Sequence, residues 1–562
     1  MSYQTIVPKV NQENEFLEIA SDFGNPLEVI REAISNSYDK GASELSIDIY
    51  IDTTQGSDVL MMSFTDDGEG MTYDRLTQNF WNLGDSSSKG NPDLIGEKGH
   101  GTKIYLRAER IEVTTSTGEE AFHSYCDNPF RSLNRGILHE PKVKTIDPET
   151  TQKGTKIILE NYSKETSHYR QDIIVDYIYW FTKHGSVEKE FEGNNPKAFT
   201  IKLSALDKED GYEVLEFGHR FAKENSDINQ LFEDFKTDAV DHFVKKYVWE
   251  DCTLDRFPYI KYDVVIYVEG DKAKRKYNHM LAERKSRRTG KYKVSDRYGL
   301  WLCKDYIPIE NKNSWVSNFG TGSNSVVMLH AFVNCQHFKL TANRGTIANT
   351  NIDHLEAVKG EIQNCLDEVN EDLYKKEIYT LKQWQNEHRT KEIEKIEFKK
   401  RSENVRKRKF IQHDKVRLIE PKNESELSIL FNTIYNFYPD NFDFEPLDYN
   451  TSLGIDILAR NNSPAQVTDS EFWYVELKYI LNKNEFNHSF QNIRKVICWE
   501  FNSDIKDGTV MTSKVDSIDR VFKFAVVNGK KKYFLDSDQT TIKIEVIRLR
   551  EYMEDELDLK FT

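Results

Sequence analysis

The chain has 562 residues, a formal net charge of −16, and 38% hydrophobic and 12% aromatic residues. This length exceeds what one hydrophobic core supports, so we expect about three or four domains, and the composition excludes a disordered or fibrous protein. Six cysteines without paired spacing argue against a disulfide framework and a cysteine zinc site. The chain opens on no apolar signal segment and has no apolar run long enough for a bilayer, so we expect a cytoplasmic protein without membrane contact.

The first predicted element is a helix that Asn25 can cap, starting at residue 26, and that Gly41 can end. Glu32, Asn36 and Asp39 follow one another at spacings of four and three, so they share one face of this helix. A solvated polar stripe is the alternative interpretation of that face.

Two strands are predicted next, and the second ends in T-D-D-G-E-G-M at residues 65–71. The first alternates apolar and polar residues between positions 45 and 51, as a half-buried strand does. Acidic residues and glycines also cluster in surface turns, so the short motif alone is weak. Helix and sheet could nevertheless bring the side chains of Asn36 and Asp66 to one pocket.

A glycine-rich polar segment at residues 83–103 is predicted to enter a helix at Lys103. Its glycines would let backbone N–H groups approach phosphate oxygens closely. It is not a Walker A loop, because the G-K-[ST] ending is missing. A later strand begins with Gly154-Thr155.

These four stretches, in this order, resemble the Bergerat-fold ATPases of the GHKL group, which includes gyrase, heat-shock chaperone, histidine kinase and MutL proteins. The boxes are E-x-x-x-N-x-x-D, D-x-G-x-G, G-x-x-G-x-G and Gly-Thr. The resemblance implies an ATP site with Mg²⁺. Its residues would be Asn36, Asp39, Asp66, Gly68, Gly70, Lys89, Gly96, Gly99, Gly101, Thr102, Lys103 and Thr155.

By the same resemblance, Asp66 would accept a hydrogen bond from the adenine amino group, and Asn36 would hold the Mg²⁺ bound to ATP. Glu32 would orient and deprotonate the attacking water. Histidine kinases lack this carboxylate, and no phosphoacceptor histidine domain precedes the site. We therefore expect ATP hydrolysis rather than phosphotransfer to protein.

Residues 206–350 resemble the transducer domain that follows the ATPase in the MutL and MORC branches. In those proteins a basic residue reaches the γ-phosphate, and the stretch F-K-L-T-A-N-R-G-T offers Arg344, with Lys339 as the alternative. The MORC pattern has lysine where Arg344 stands, and a surface loop remains the other interpretation. This region also contains a basic run at residues 272–293.

Residues 351–412 are polar and nearly free of Gly and Pro, with apolar residues near helical spacing, which predicts a long helical stalk. A second basic run lies at residues 399–409. A single run is more often a solvated face than a ligand site. Two runs on an acidic chain favour a polyanion partner, because phosphate contacts need clustered cations.

The C-terminal region, from residue 413 to 562, resembles the PD-(D/E)xK restriction-endonuclease-like nucleases. The matching positions are Asp456, Glu476 and Lys478, with Glu424 on a preceding helix, although Ile455 replaces the family's proline. The resemblance implies a site in which Asp456, Glu476 and Glu424 hold Mg²⁺ or Mn²⁺ for phosphodiester cleavage. A strand-edge ion pair is the alternative interpretation.

Together these features predict an α+β multidomain protein: a Bergerat-fold α/β sandwich ATPase at 1–205, a transducer-type α/β domain at 206–350, the stalk at 351–412 and a restriction-endonuclease-like α/β domain at 413–562. The predicted function is an ATP-gated DNA nuclease or DNA clamp, acting against foreign DNA as an ATP-dependent homodimer on double-stranded DNA, with a separate partner protein as an option. The alternative is a non-cleaving, DNA-organising or chaperone-like ATPase with a binding C-terminal domain.

Overall fold

The computed structural model describes residues 11–562 except 55, 84–100, 194–195, 226, 282–290, 318, 321–324, 342–344, 451–454, 485, 517–518 and 528. The chain divides into two compact units, residues 1–391 and 392–562. Among the described helices, none is long and apolar enough to cross a membrane.

The N-terminal part of the first unit is one mixed sheet with helices packed against it. Its helices are α1 (Gln12–Ser21), α2 (Glu28–Asp39), α3 (Pro129–Leu133) and α4 (Gln171–Phe181). Its strands are β1 (Glu44–Asp52), β2 (Val59–Asp66), β3 (Arg110–Ser116), β4 (Ala121–Asp127), β5 (Lys142–Ile146), β6 (Gly154–Glu160), β7 (Thr200–Ser204) and β8 (Glu213–Leu215). The order is β5-β4-β3-β6-β2-β1-β7-β8, with only β1 and β7 parallel among neighbours.

The helix predicted from residue 26 starts two residues later than expected. Asn25 does not cap α2: its side-chain oxygen accepts a hydrogen bond from the Leu27 N–H at 3.0 Å, and its carbonyl accepts from the Glu28 N–H at 3.1 Å. Asn25 therefore closes a turn ahead of the helix. Gly41, with φ of +74°, follows the helix end as predicted.

The second part of the first unit is a five-stranded sheet covered by helices. Its strands, in the order β12-β11-β13-β10-β9, are β9 (Val244–Thr253), β10 (Lys261–Glu269), β11 (Gly299–Lys304), β12 (Ile307–Asn311) and β13 (Leu329–Asn334). Its helices are α5 (Ile228–Phe235), α6 (Asp271–Tyr277), α7 (Ile352–Val369) and α8 (Ile378–Arg406), the last crossing the division between units.

The region predicted as a stalk is helical, but its first half is part of this core. Val358, Ile362 and Leu366 of α7 are buried with the strands of the five-stranded sheet. A short π-helix, Asn370–Glu377, joins α7 to α8. Apolar residues at helical spacing therefore mark a packed helix here, because a free stalk would leave them in water.

Buried polar contacts connect the two sheets of the first unit. His330 on β13 and Glu269 on β10 are both fully buried, and His330 Nδ1 lies 3.0 Å from Glu269 Oε1. His219 Nε2 lies 2.9 Å from His330 Nε2. On α4, Asp176 forms an ion pair with Arg297 at 2.8 Å. His330 and Glu269 pair within the second sheet, while the His219–His330 and Asp176–Arg297 contacts join the two parts. Breaking one of these contacts would leave a buried polar group unpaired.

Trp180, at the end of α4, packs against the same connection. Its ring lies 4.8 Å from that of His219, 5.1 Å from that of His330 and 5.5 Å from that of Tyr298, measured between ring centroids. The side chain is buried. One aromatic side chain thus fills the space between an N-terminal helix and the second sheet.

We expect Trp180→Ala to lower the free energy of unfolding of this unit by about 3–5 kcal/mol, because it removes a large buried ring and leaves a cavity. Urea unfolding of the full chain measures the change. Tyr379→Ala is the matched control: this aromatic is 54% exposed, so its loss should cost less than about 0.5 kcal/mol. Equal losses for the two variants would contradict the packing role.

The second unit contains a small hairpin and an eight-stranded sheet. The hairpin strands are β14 (Phe410–His413) and β15 (Val416–Ile419). The sheet, in the order β16-β17-β18-β19-β23-β22-β21-β20, contains β16 (Phe444–Tyr449), β17 (Ile457–Asn461), β18 (Phe472–Leu481), β19 (Ile493–Phe501), β20 (Val510–Met511), β21 (Arg520–Val527), β22 (Lys530–Asp536) and β23 (Ile544–Arg548). Helices α9 (Glu424–Phe437) and α10 (Leu549–Glu556) pack against it, and β18, β19 and β23 are parallel.

Candidate functional sites

The first candidate site lies where β2 and β6 end beside α2. Asp66 is the last residue of β2 and pairs in register with Thr155 on β6. Its Oδ1 accepts a hydrogen bond from the Gly68 N–H at 2.9 Å, and its Oδ2 accepts from the Ser37 hydroxyl at 3.2 Å. Burial raises the pKa of Asp66, while these hydrogen bonds act in the opposite direction. The strand end therefore holds an oriented acceptor in a sheltered place.

Glycines allow the backbone to pass close to this carboxylate. A Cβ on Gly154, whose φ is +124°, would lie 2.0 Å from the Asp66 carbonyl oxygen. A Cβ on Gly70, with φ of +72°, would lie 2.0 Å from the Ser116 carbonyl oxygen. Neither place can accommodate a side chain, so the glycines of the D-x-G-x-G and Gly-Thr boxes are required by the backbone path.

Asp67, which the sequence predictions passed over, secures the turn after β2. Its Oδ1 accepts hydrogen bonds from the N–H groups of Ser43 at 2.7 Å and Glu44 at 2.9 Å. Burial would raise the pKa of Asp67, but a hydrogen bond from the Ser43 hydroxyl and these two backbone bonds together lower it. Of the two carboxylates in T-D-D-G, the second thus joins the turn to the start of β1. The T-D-D-G sequence gave no signal for this difference.

Glu32, Asn36 and Asp39 lie on α2, and Glu32 is in contact with Gly101. A Cβ on Gly101 would come within 1.7 Å of Glu32 Oε1, so the carboxylate packs directly against this glycine. The contact places the predicted water-activating group at the end of the glycine-rich segment. Lys89, Gly96 and Gly99 of that segment lie outside the described residues.

The helix predicted at Lys103 is a 3₁₀-helix, Gly101–Arg107. The Lys103 ammonium donates hydrogen bonds to the carbonyls of Asn79 at 3.0 Å and Phe80 at 2.8 Å, and to the Thr102 hydroxyl at 2.8 Å. It thereby caps the end of the π-helix Arg75–Phe80. Burial lowers the pKa of Lys103 to about 7, against the attraction of Glu32. In this arrangement the ammonium serves the protein's own carbonyls, and its predicted contact with ATP stays a prediction.

Tyr105, which the sequence predictions did not single out, contributes a polar hydroxyl group to this site. Its hydroxyl is buried, and no atom of the described residues lies at a hydrogen-bonding distance and angle from it. Burial raises its pKa well above the ordinary value, with Glu32 acting in the same direction and Asn36 against it. An unpaired buried hydroxyl beside Glu32 and Asn36 fits a pocket that holds a polar ligand.

The second candidate site lies in the C-terminal unit, at the start of β17 and along β18. Asp456 precedes β17 by one residue, and its Oδ2 accepts a hydrogen bond from the Leu477 N–H at 2.7 Å. Lys478 Nζ lies 2.8 Å from Glu476 Oε1 and 3.7 Å from Glu424 Oε2. Residues from three separate stretches of the sequence thus converge on one place.

We call Glu424, Asp456, Glu476 and Lys478 the acidic cluster. Burial and the neighbouring charges both shift the pKa values of its members. Burial raises the pKa of Asp456 and of Glu424. Burial alone would lower the pKa of Lys478, but the neighbouring carboxylates, Glu476 first, raise it. Lys478 is therefore held in its charged form by the carboxylates around it.

One oxygen of the acidic cluster is unsatisfied. Glu476 is 2% exposed, and its Oε2 has no hydrogen-bond partner among the described residues. A buried, unpaired carboxylate oxygen is costly, so this donor set fits a divalent cation. As the side chains stand, no three His, Cys, Asp or Glu residues in the described ranges lie close enough to hold one. The predicted metal role of Asp456, Glu476 and Glu424 stays a prediction.

The predicted γ-phosphate contact stays untested. Arg344 lies outside the described residues. Lys339 is exposed, and its backbone N–H donates to the Thr350 hydroxyl at 2.8 Å, which fixes the chain but not the ammonium.

Residues 25–155 match the family model of the histidine kinase-, DNA gyrase B- and HSP90-like ATPases. The chain is 25% identical over 141 residues to the DNA mismatch repair protein MutL of Streptococcus equi subsp. zooepidemicus (strain MGCS10565), and 26% identical over 141 residues to MutL of Streptococcus pyogenes serotype M5 (strain Manfredo). Each match covers 24% of this chain and 19% of the relative, so the chain spans about a fifth of those relatives' length. The chain carries a GHKL-type, ATP-binding ATPase domain similar to that of MutL.

We expect Gly101→Ala to reduce ATP hydrolysis at least tenfold, because the new methyl group would displace the Glu32 carboxylate. Release of inorganic phosphate measures the rate. The matched control is Gly360→Ala, an exposed position of α7 where a Cβ meets no atom within 4 Å. It should leave the rate unchanged and stabilise the helix by up to about 1 kcal/mol. Parental activity in Gly101→Ala would contradict the placement of Glu32.

The lowered pKa of Lys103 predicts a pH effect on stability. Above pH 7 the folded protein has released the Lys103 proton while the unfolded chain still binds it, so the parent gains stability as pH rises toward 10. Relative to Lys103→Met, that gain should approach about 1.4 kcal/mol per pH unit between pH 8 and 9.5. Urea unfolding at several pH values measures it. If the free energies of unfolding of the two proteins changed equally with pH, the lowered pKa of Lys103 would be contradicted.

Proposed function

We propose that this chain is an ATP-gated DNA nuclease, in which the N-terminal ATPase domain hydrolyses ATP and the acidic cluster of the C-terminal unit cleaves phosphodiester bonds. The observation that carries the proposal is the convergence of Glu424, Asp456 and Glu476 around Lys478, with an unpaired buried oxygen on Glu476. The same chain carries a GHKL-type ATPase domain.

In the ATPase site, Asp66 is suited to accept a hydrogen bond from the adenine amino group, because its carboxylate is fixed by Gly68 and Ser37. Asn36 would hold Mg²⁺, which would neutralise charge on the ATP phosphates. Glu32 would take a proton from the attacking water, in the position that its contact with Gly101 gives it. Arg344, or Lys339 in its place, would contact the γ-phosphate.

In the C-terminal unit, Asp456 and Glu476 would hold a divalent cation, Mg²⁺ or Mn²⁺, with Glu424 as a further ligand. That cation would supply polarisation of water and of the phosphodiester. The Leu477 N–H orients the Asp456 carboxylate toward this place. Lys478, kept protonated by its acidic neighbours, would neutralise negative charge that develops on the phosphate.

DNA as the substrate is supported by the similarity to proteins named for DNA mismatch repair. We propose that the active form is an ATP-dependent homodimer that closes on double-stranded DNA, with a separate protein as a potential trigger. Defence against foreign DNA fits this combination, since a nuclease controlled by ATP can be kept inactive on the host chromosome.

A second candidate function has its own support. The Lys478–Glu476 pair at 2.8 Å offsets the charge of each partner without a cation, although Glu476 Oε2 stays unpaired, and no three-ligand metal group is assembled among the described residues. Both observations suit a C-terminal unit that binds DNA or protein without cleaving it. In that case the chain would be a DNA-organising or chaperone-like ATPase.

Glu32→Gln is expected to lower ATP hydrolysis by about 10²–10⁴-fold while leaving ATP binding within a few-fold of the parent, because the amide cannot accept the water proton. Phosphate release and calorimetric titration of ATP measure the two quantities. Glu18→Gln, at an exposed position of α1, should change neither. Hydrolysis at the parental rate by Glu32→Gln would remove Glu32 from the mechanism.

Asp456→Asn is expected to abolish cleavage of supercoiled plasmid in the presence of ATP and Mg²⁺ or Mn²⁺, because the neutral amide removes the negative charge and one of the two oxygens that would hold the cation. Its ATP hydrolysis should match that of the parent. Asp448→Asn, an exposed carboxylate on β16, controls for loss of charge in the same unit. If the parent leaves the plasmid intact under these conditions, the non-cleaving function is favoured.

A further inference from the structure

A strongly basic segment begins in the exposed last turns of α8 and precedes the residues of the acidic cluster in the sequence. We call residues 399–417 the basic arm: the last turns of α8, the connection after it, and most of the hairpin β14–β15. It contains nine basic and two acidic residues, whereas the whole chain has a formal net charge of −16. The arm is therefore a positively charged segment in a chain whose net charge is negative.

The cations of the basic arm are exposed and mostly without internal partners. Lys399, Lys400, Arg401, Arg406 and Lys407 are all exposed. The described residues provide no carboxylate within 4 Å of any of these five. Solvated, unpaired cations of this density repel one another, so a bound polyanion would relieve the repulsion.

The other basic run of the chain differs in this respect. In its described part, Lys272 is paired with Asp238 and Arg275 with Asp271, while Lys274 is buried. These three charges are thus paired or buried within the protein, unlike the five exposed cations of the basic arm.

One member of the arm fixes it beside the acidic cluster. Arg408 forms a bidentate ion pair with Glu426, at 2.6 Å and 2.9 Å. Glu426 and Glu424 both lie in the first turn of α9, and Glu424 contacts Lys478. The hairpin is also fixed, because its Ile411 and Leu418 are buried in one core with residues of α9. The hairpin end of the arm is therefore held against the first turn of α9, beside the acidic cluster.

The acidic cluster by itself would repel a phosphodiester, since it has three carboxylates and one lysine. Neighbouring cations would offset that repulsion and hold the phosphate backbone as it approaches. From Lys399 to Arg406, α8 rises about 10 Å, which corresponds to roughly three base pairs of duplex DNA at a rise of about 3.4 Å each along the helix axis. The dimensions and charge of the arm fit a nucleic-acid backbone.

We propose that the basic arm is the surface on which the phosphate backbone of double-stranded DNA docks next to the acidic cluster. The proposal rests on the proposed nuclease function, for which it names the surface that presents the substrate. The contacts would be made to phosphates, so they give affinity without sequence preference.

The test removes four cations of the arm with Lys399→Gln, Lys400→Gln, Arg406→Gln and Lys407→Gln in the full chain. Fluorescence anisotropy with a labelled DNA duplex in EDTA measures binding at several salt concentrations. Binding should weaken at least tenfold, and the slope of log affinity against log salt should fall by about three to four. The matched control, Lys506→Gln with Lys514→Gln, Lys531→Gln and Lys532→Gln, removes four exposed cations elsewhere in the same unit and should change affinity less than twofold.

Retention of parental ATP hydrolysis and of the thermal unfolding midpoint verifies that the arm variant is folded. The proposal is overturned if the arm variant binds DNA as the parent does, if the control weakens binding equally, or if the parent binds duplex RNA in preference to DNA. The variant Asp456→Asn distinguishes failure of the docking proposal from failure of the proposed nuclease function. Its DNA affinity in EDTA should be no weaker than that of the parent, because it removes one repelling carboxylate and no cation of the arm. Failure of Asp456→Asn to stop cleavage would overturn the nuclease while leaving the binding result intact.

Discussion

The ATPase domain depends on the half-buried carboxylate of Asp66 being held in a fixed orientation at the end of a strand. Burial makes its ionised form costly, and the hydrogen bonds from Gly68 and Ser37 offset part of that cost. Those partners come from the turn after β2 and from α2, so the carboxylate joins both elements. The geometry of the whole pocket follows from this joint, because α2 also carries Glu32 and Asn36.

Close backbone approach is the second condition for this site. Gly154 and Gly101 lie so near Asp66 and Glu32 that a methyl group on either would collide with them. The buried Lys103 is the third feature: its ammonium donates hydrogen bonds to carbonyls at the end of the π-helix Arg75–Phe80. The Lys103 ammonium thus donates to the protein's own backbone, and three acceptors offset the cost of burying it.

Sequence patterns predicted the parts of the fold that depend on local spacing. The helix with Glu32, Asn36 and Asp39 on one face, the strand ending at Asp66 and the strand starting at Gly154 are all present. The start of α2 was wrong by two residues, since Asn25 forms a turn with Leu27 instead of capping the helix. Helix ends depend on which of several local hydrogen bonds forms, and the sequence offers more than one choice.

Long-range contacts were beyond the sequence patterns. The turn-securing role of Asp67 and the unpaired hydroxyl of Tyr105 depend on residues that meet only after the sheet forms. The same holds for the convergence of Glu424 on Lys478, which a preceding acidic helix suggested but could not place. The apolar spacing of residues 352–369 predicted a helix correctly, yet only the five-stranded sheet explains what covers it.

The central claim is that one chain makes phosphodiester cleavage in its C-terminal unit depend on ATP in its N-terminal domain. The helix α8, which begins at the buried residues Ile378 and Leu381 and ends at Arg406, is the segment that we propose carries such a signal. The rate of plasmid cleavage by Asp66→Ala with ATP and Mg²⁺ tests the claim most directly. The account predicts at least a tenfold loss, since ATP can no longer bind. Cleavage at the parental rate by a variant that binds no ATP would contradict it.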